Sequence, residues 1–279
     1  MRSGLCAWAI CIALAAILLL SGCGGLEIKS VWTNEAVKID GVPAEWEGAT
    51  TWVESPNVAV GVKNDDDYLY ICLSSPVREV AVQIALRGFT VWLDPKGKKG
   101  KTFGIRCPIG PEMGTGNPGE LRKLAEDREK FMETVAERLN GAGNVLEVLG
   151  PGEDDKVRLT PYDAAGLEVA LGYQDGRVVY ELKVPFRRDE HPYAIGSDGK
   201  GKIGIGFETP EIGRDERMAA MGGHRPEGGT GPGGGRTGGM TGGPPGGGRS
   251  GEMRRGGPGN MLAPLDIWAK ISLASPSKP

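Results

Sequence analysis

Apolar residues recur at every second position through much of this chain. Val58, Val60 and Val62 alternate with small or polar neighbours, Leu69, Ile71 and Leu73 with Tyr68, Tyr70 and Cys72, and Phe89, Val91 and Leu93 with Thr90, Trp92 and Asp94. A period of two buries one face of a strand and leaves the other to solvent or a second layer. The pattern returns at Leu167, Val169, Leu171 and Tyr173 and at Val178, Tyr180, Leu182, Val184 and Phe186, the two runs divided by Asp175-Gly176. Asp-Gly between alternating runs predicts a type I′ hairpin, because both central residues of that turn need positive φ. Ile203, Ile205 and Phe207 make a further strand, and Leu265, Ile267, Ala269, Ile271 and Leu273 the last. Short strands with turn signals between them predict an all-β fold, an antiparallel, jelly-roll-like β-sandwich over 37–274 followed by a short tail, 275–279.

The period changes twice. Asn117, Pro118 and Glu120 supply an N-cap, a first-turn proline and an N3 acid, and Asn140-Gly141 supplies a stop. Between them Leu121, Leu124, Ala125, Phe131, Met132, Val135, Ala136 and Leu139 share one stripe, so a helix inserted over 118–140 should pack on its own sandwich. Half of residues 222–259 are glycine, with five arginines and no apolar side chain larger than methionine. Such a segment cannot bury enough surface to offset the entropy of ordering it, which predicts a disordered loop between the last two strands. Arg225, Arg236, Arg249, Arg254 and Arg255 would then line a solvated spacer or touch anionic lipid, cell-wall polymer or nucleic acid. No Gly-Lys-Ser/Thr follows the glycines, which argues against a phosphate-cradling loop.

A third pattern opens the chain. Arg2 precedes an uncharged apolar stretch from Leu5 to Leu20, too short to span a bilayer comfortably, and small residues follow. Leu20-Ser21-Gly22-Cys23 resembles a bacterial lipobox. The resemblance implies a lipoprotein signal peptide over 1–22, acylation of Cys23, a tether over 23–36 and a membrane-anchored protein of the cell envelope. Gly24-Gly25, with no aspartate, implies outer-membrane sorting where the host has two membranes. The chain has 33 Lys+Arg against 36 Asp+Glu, a formal net charge of −3. That balance gives no electrostatic reason to bind nucleic acid. Beyond Cys23 the cysteines are Cys72 and Cys107; an oxidising compartment permits a disulfide between them, and two small buried thiols fit the sequence equally well.

Three further segments carry a family resemblance. Val37-Lys38-Ile39-Asp40-Gly41-Val42-Pro43-Ala44-Glu45-Trp46 resembles the opening of family 9-type carbohydrate-binding domains, whose relatives include DOMON-like sandwiches. Asp65-Asp66-Asp67-Tyr68-Leu69-Tyr70-Ile71 is similar to that family's acidic turn and following strand, and Tyr180-Glu181-Leu182-Lys183-Val184-Pro185-Phe186 to its strand ending in proline. The resemblance implies a β-sandwich whose usual role is to hold carbohydrate between aromatic side chains.

The residues themselves suggest where. Strand parity puts Trp92 and Trp268 opposite the aliphatic rows, Trp92 beside Thr90 and Asp94, Trp268 beside Asp266 and Lys270. An aromatic on a polar face can stack on a pyranose while its neighbours bind hydroxyls. The competing use is packing: Gly204 and Gly206 leave bare backbone on the neighbouring strand that Trp268 could cover. Tyr68 and Tyr70 share the outward parity. Asp40-Gly41 and Trp46 read as a structural turn and as a ring closing one end of the sandwich. Asp65, Asp66 and Asp67 lack the spaced ligands of a calcium loop, and with only His191 and His224 there is little material for a zinc site or a histidine-assisted nucleophile. The reading is a lipid-anchored, non-catalytic glycan-binding sandwich with neither metal nor cofactor. The alternatives are a structural or protein-interaction lipoprotein that has lost sugar binding and, further off, a glycoside hydrolase or its accessory module.

Overall fold

The computed structural model describes residues 25–110, 127–152, 154–211 and 263–276. Cys23, the leader, the segment 222–259 and the predicted start of the inserted helix lie outside them. The described elements run β1 Leu26–Lys29, β2 Val31–Trp32, a 3-10 turn Pro43–Trp46, β3 Thr50–Val53, β4 Val58–Asn64, β5 Tyr68–Ser75, α1 Arg78–Arg87, β6 Gly88–Asp94, β7 Phe103–Ile109, α2 Arg128–Asn140, β8 Leu146–Leu149, β9 Lys156–Leu159, β10 Glu168–Gln174, β11 Arg177–Pro185, β12 Lys202–Glu208 and β13 Asp266–Ser272.

Two sheets face each other. One has seven strands in the order β1-β13-β12-β6-β7-β8-β9; the other runs β10-β11-β5-β4-β2, with β3 also paired to β4. The inward rows are those the alternation predicted: Val58, Val60, Val62, Leu69, Ile71 and Leu73 from the second sheet meet Phe89, Val91, Leu93, Ile203, Ile205 and Phe207 from the first. Phe89 ties the layers, edge-on to Tyr180 at 4.8 Å and stacked on Phe207 at 6.2 Å. The β10-β11 hairpin turns through Asp175 at φ 51° and Gly176 at φ 75°, as a type I′ turn requires.

The sheets are mixed rather than purely antiparallel. Residues 26–32, expected to be tether, instead form two parallel edge strands: β1 pairs with β13 and β2 with β4. Ser30 is the step between sheets, its N–H donating to Ser272 O at 3.0 Å while buried Asn64 donates to Ala274 O at 3.1 Å. A strand of four residues carries too little periodicity to be seen in sequence.

Two helices close other openings. α2 begins at Arg128, capped by the Asp127 carboxylate, which accepts from Lys130 N–H. It lies along β10, where Asn140 Oδ1 accepts the Tyr173 N–H at 2.8 Å and so satisfies an otherwise unpaired sheet edge. α1 was not anticipated. Its Val80, Val82 and Ile84 alternate with Ala81, Gln83 and Ala85 as a strand's would, yet Val80, Ala81, Gln83, Ile84 and Ala85 are all buried where it plugs the gap between the sheets.

Candidate functional site

Parity places a second set of side chains on the outside of the seven-stranded sheet, and the register orders them in rows. One row runs Trp268, Gly206, Trp92, Gly104, Leu149 across β13, β12, β6, β7 and β8. Each indole lies over a glycine of the next strand. A Cβ on Gly206 would come within 2.7–2.9 Å of Cε2, Cζ2 and Cη2 of Trp268, and one on Gly104 within 2.7–3.2 Å of Cζ3, Cε3 and Cη2 of Trp92. Because Cβ stands roughly perpendicular to a sheet, a ring that meets it with three atoms at nearly equal distance lies flat on the backbone. Both rings are half-buried, the lower face packed and the upper face turned outward. The aromatic cover foreseen for Trp268 is therefore present, over Gly206. Gly204 is covered by backbone instead, since a Cβ there would sit 1.8 Å from Lys98 O.

Polar groups flank this row on both sides. The adjacent row holds Asp266, Glu208, Thr90, Arg106, Glu147 and Arg158 in cross-strand register. Glu208 Oε2 accepts the Trp92 indole N–H at 2.8 Å and pairs with Lys101 Nζ at 2.6 Å, while that ammonium stands 5.6 Å from the Trp92 ring centroid. Arg106 donates to Glu147 at 2.8 Å and Arg158 at 3.3 Å, so the buried Glu147 carboxylate is fully held. On the opposite side the β6-β7 loop folds back over Gly204 and brings Lys96, Lys98, Lys99 and Lys101 alongside, all exposed, with Lys270 on β13 beyond.

Asp94 organises that loop and is not free to bind a ligand. It is 2% exposed, its Oδ1 accepting Lys96 N–H and its Oδ2 Gly100 N–H, both at 2.9 Å. Tyr68 and Tyr70 belong to the other sheet, so the five predicted ligand-binding candidates do not form one site. Tyr70 is buried and donates to Asp65 Oδ2 at 2.7 Å; burial, then that carboxylate, pushes its hydroxyl well above the usual phenol range. Tyr68 is half-buried, its hydroxyl 3.4 Å from His191 Nε2 and its ring 4.4 Å from Lys183 Nζ. The acidic turn is structural: Asp65 Oδ1 accepts the N–H groups of Asp67 and Tyr68, and Asp67 pairs with Arg187.

The disulfide left open by the sequence is not formed. Cys107 lies in the core between the sheets, Cys72 in a separate cluster on the outside of the six-stranded sheet, and both thiols are free. Burial pushes Cys107 up to about 12 and Cys72 well above its ordinary value. That outer cluster joins Cys72, Tyr70 and Val179 to Val37 and Trp46, so Trp46 covers a face of the sandwich rather than closing one end. Glu181 anchors the covering segment: Oε2 accepts Asp40 N–H at 2.8 Å and Gly41 N–H at 2.7 Å, and Oε1 accepts the Trp46 indole N–H at 2.7 Å. Burial raises the Glu181 carboxyl while these donors oppose the shift. Among the described residues, Asp40, Glu45 and Glu181 are the one carboxylate group whose oxygens converge, within 4.8 Å. Asp40 is paired with Lys38 at 2.7 Å and Glu181 is occupied by N–H donors, which suits a structural clasp better than a cation site.

No family model matches the chain, and no curated protein matches it. Two solved structures of a family 9 carbohydrate-binding module from Caldicellulosiruptor kristjanssonii are similar to it. The glucose complex covers 68% of this chain and 81% of its own at 10% identity and a TM-score of 0.31. The cellotriose complex covers 69% and 80% at 10% identity and a TM-score of 0.32. At this identity and these scores neither match says what this chain binds.

Glu208, Lys101 and Glu181 were not singled out from sequence. The available signal was parity: Gly104 and Gly206 are outward glycines in strands, and Glu181 is an acid between Val179 and Lys183 on a row that a second layer covers.

Proposed function

We propose that the protein is a lipid-anchored, non-catalytic glycan-binding module of the cell envelope, and that the glycan lies on the outer face of the seven-stranded sheet. The observation that carries this is the aromatic row: two partly exposed indoles, each flat on a glycine, in one line. Trp268 and Trp92 sit two strands apart and lean the same way, which separates their rings by about 9.6 Å. That is close to the length of two β-1,4-linked hexopyranose units, so alternate sugars of an extended chain could stack on successive indoles. Glu208 and Asp266 lie on the adjacent row within reach of ring hydroxyls. The lipid anchor rests on the lipobox resemblance at Cys23.

The test is titration of the full chain with a panel of oligosaccharides, followed by tryptophan fluorescence. Binding should perturb the emission, and Trp268→Ala should abolish the response while the circular dichroism spectrum is kept. Flat titrations across the panel overturn the reading.

One observation favours the interaction-protein alternative. Trp92 already has its N–H bound by Glu208 and its upper face beside the Lys101 ammonium, so packing alone accounts for it. On that reading glycans leave the emission unchanged and an envelope protein co-purifies instead, in amounts that fall when Trp268 is replaced.

A further inference from the structure

The charge on one side of the aromatic row specifies which glycans it would take; this rests on the glycan-binding reading above. The loop between β6 and β7 reads Pro95-Lys96-Gly97-Lys98-Lys99-Gly100-Lys101 and carries four exposed lysines. Its path is fixed from within. Buried Asp94 holds the N–H groups of Lys96 and Gly100, Gly97 N–H donates to Asp94 O at 3.0 Å, and Thr102 Oγ1 donates to Leu93 O at 2.8 Å. It is pressed onto the sheet where only a glycine fits, since a Cβ on Gly204 would meet Lys98 O at 1.8 Å. Gly204 is two residues along β12 from Gly206, so the loop is a fixed wall immediately beside the Trp268–Gly206–Trp92 line.

Among the described residues Lys101 has an acidic partner, Glu208. Lys96, Lys98 and Lys99 make no ion pair among the described residues, and the nearest acid in sequence, Asp94, is buried and spent on the loop's own backbone. Lys270 continues the basic side on β13, opposite Glu27, whose carboxylate is bound to Lys202 at 3.0 Å. Like charges held close by a rigid turn cost free energy unless an anion gathers them, and a surface of one sign raises the local concentration of the opposite one. The opposite flank is mixed, with Asp266, Glu208 and Glu147 set against Arg106 and Arg158.

We infer that the outer face of the seven-stranded sheet binds an acidic glycan, its sugar rings on Trp268 and Trp92 and its carboxylate or sulfate groups on Lys96, Lys98 and Lys99. The full chain in neutral detergent is titrated with oligogalacturonate, with chondroitin sulfate, with neutral cello- and xylo-oligosaccharides of matched length, and with polyacrylate as a polyanion lacking sugar. Affinity for one of the acidic glycans should exceed that for the neutral ones by roughly tenfold at low salt and converge on it as salt rises. Lys96→Ala/Lys98→Ala/Lys99→Ala should remove the preference without lowering the melting temperature, because all three side chains are exposed. Preference for oligogalacturonate identifies carboxylate as the bound group, and preference for chondroitin sulfate identifies sulfate. Equal binding of acidic and neutral glycans overturns the inference and leaves the glycan-binding reading standing; no binding of any glycan overturns both. Polyacrylate bound as tightly as the acidic glycans, and unaffected by Trp268→Ala, shows a charge effect without sugar recognition and overturns the inference.

Discussion

The two outer faces of this sandwich use one device to different ends. On the six-stranded sheet Trp46 lies against Gly61, where a Cβ would meet Cε3 at 2.6 Å, and on the seven-stranded sheet Trp268 lies against Gly206 at 2.7 Å. The contact with glycine is the same. What differs is the far side of the ring. Trp46 is 1% exposed, sealed under its own segment and clasped by Glu181, whereas Trp268 is half-buried with its upper face open. A tryptophan over a glycine is therefore closed packing when a second layer covers it and keeps part of its ring at the surface when none does.

Breaking the covered face should have the largest effect. Trp46→Ala removes a fully enclosed ring and leaves the Glu181 carboxylate short of a donor, and should cost about 3–5 kcal/mol in chemical denaturation. Trp268→Ala should cost less, on the order of 1–2 kcal/mol, because the ring is already partly exposed in the folded chain. Equal losses at the two sites would sink the distinction drawn between the faces.

Next in size is the clasp. Glu181→Gln keeps the shape but turns one acceptor into a donor facing a buried N–H, a loss of about 1–3 kcal/mol. The sign with pH also follows. Burial raises the folded-state carboxyl above its ordinary value of 4.5, so between that value and the raised one the folded chain holds more protons than the unfolded chain. Stability from this group then falls as pH rises through that window and is regained on acidification. Denaturation midpoints measured from pH 4.5 to 7 should show this slope in the wild-type chain relative to Glu181→Gln; a wild-type advantage that grows with pH would contradict the assignment.

The same contrast explains what could be read in advance. The inward rows were legible because burial on one side imposes a period of two over five to seven residues, as in Phe89, Val91, Leu93 and in Val178, Tyr180, Leu182, Val184. Outward rows carry no such signature. Thr90, Trp92 and Asp94 share one parity, yet Thr90 and Asp94 are 3% and 2% exposed and only Trp92 reaches the surface, because a loop and a cross-strand arginine cover the others. Parity names the face, and the coils that fold onto it decide what remains open. β1 and β2 were hidden for a different reason: Leu26–Lys29 and Val31–Trp32 are too short to show a period, and their pairing with β13 and β4 joins residues some 240 and 32 positions apart. α1 was hidden by its β-branched alternation, which local pattern cannot separate from a strand and which the gap between the sheets resolves in favour of a helix.

The smallest and most discriminating effect comes from adding one methyl group to each face. Gly61→Ala and Gly206→Ala both place a Cβ against an indole at nearly the same distance. Trp46 has no room to rise, since it is sealed from solvent and Glu181 holds its N–H, so the strain should appear as about 1–3 kcal/mol of lost stability. Trp268 can lift into solvent, so Gly206→Ala should change stability by no more than about 0.5 kcal/mol. Its consequence should instead fall on binding, because the lifted ring leaves the line it shares with Trp92 and can no longer stack with it on one extended sugar chain. A stable Gly206→Ala protein with undiminished glycan affinity would mean that the level of the two rings is irrelevant to recognition, and the platform would reduce to surface packing on both faces.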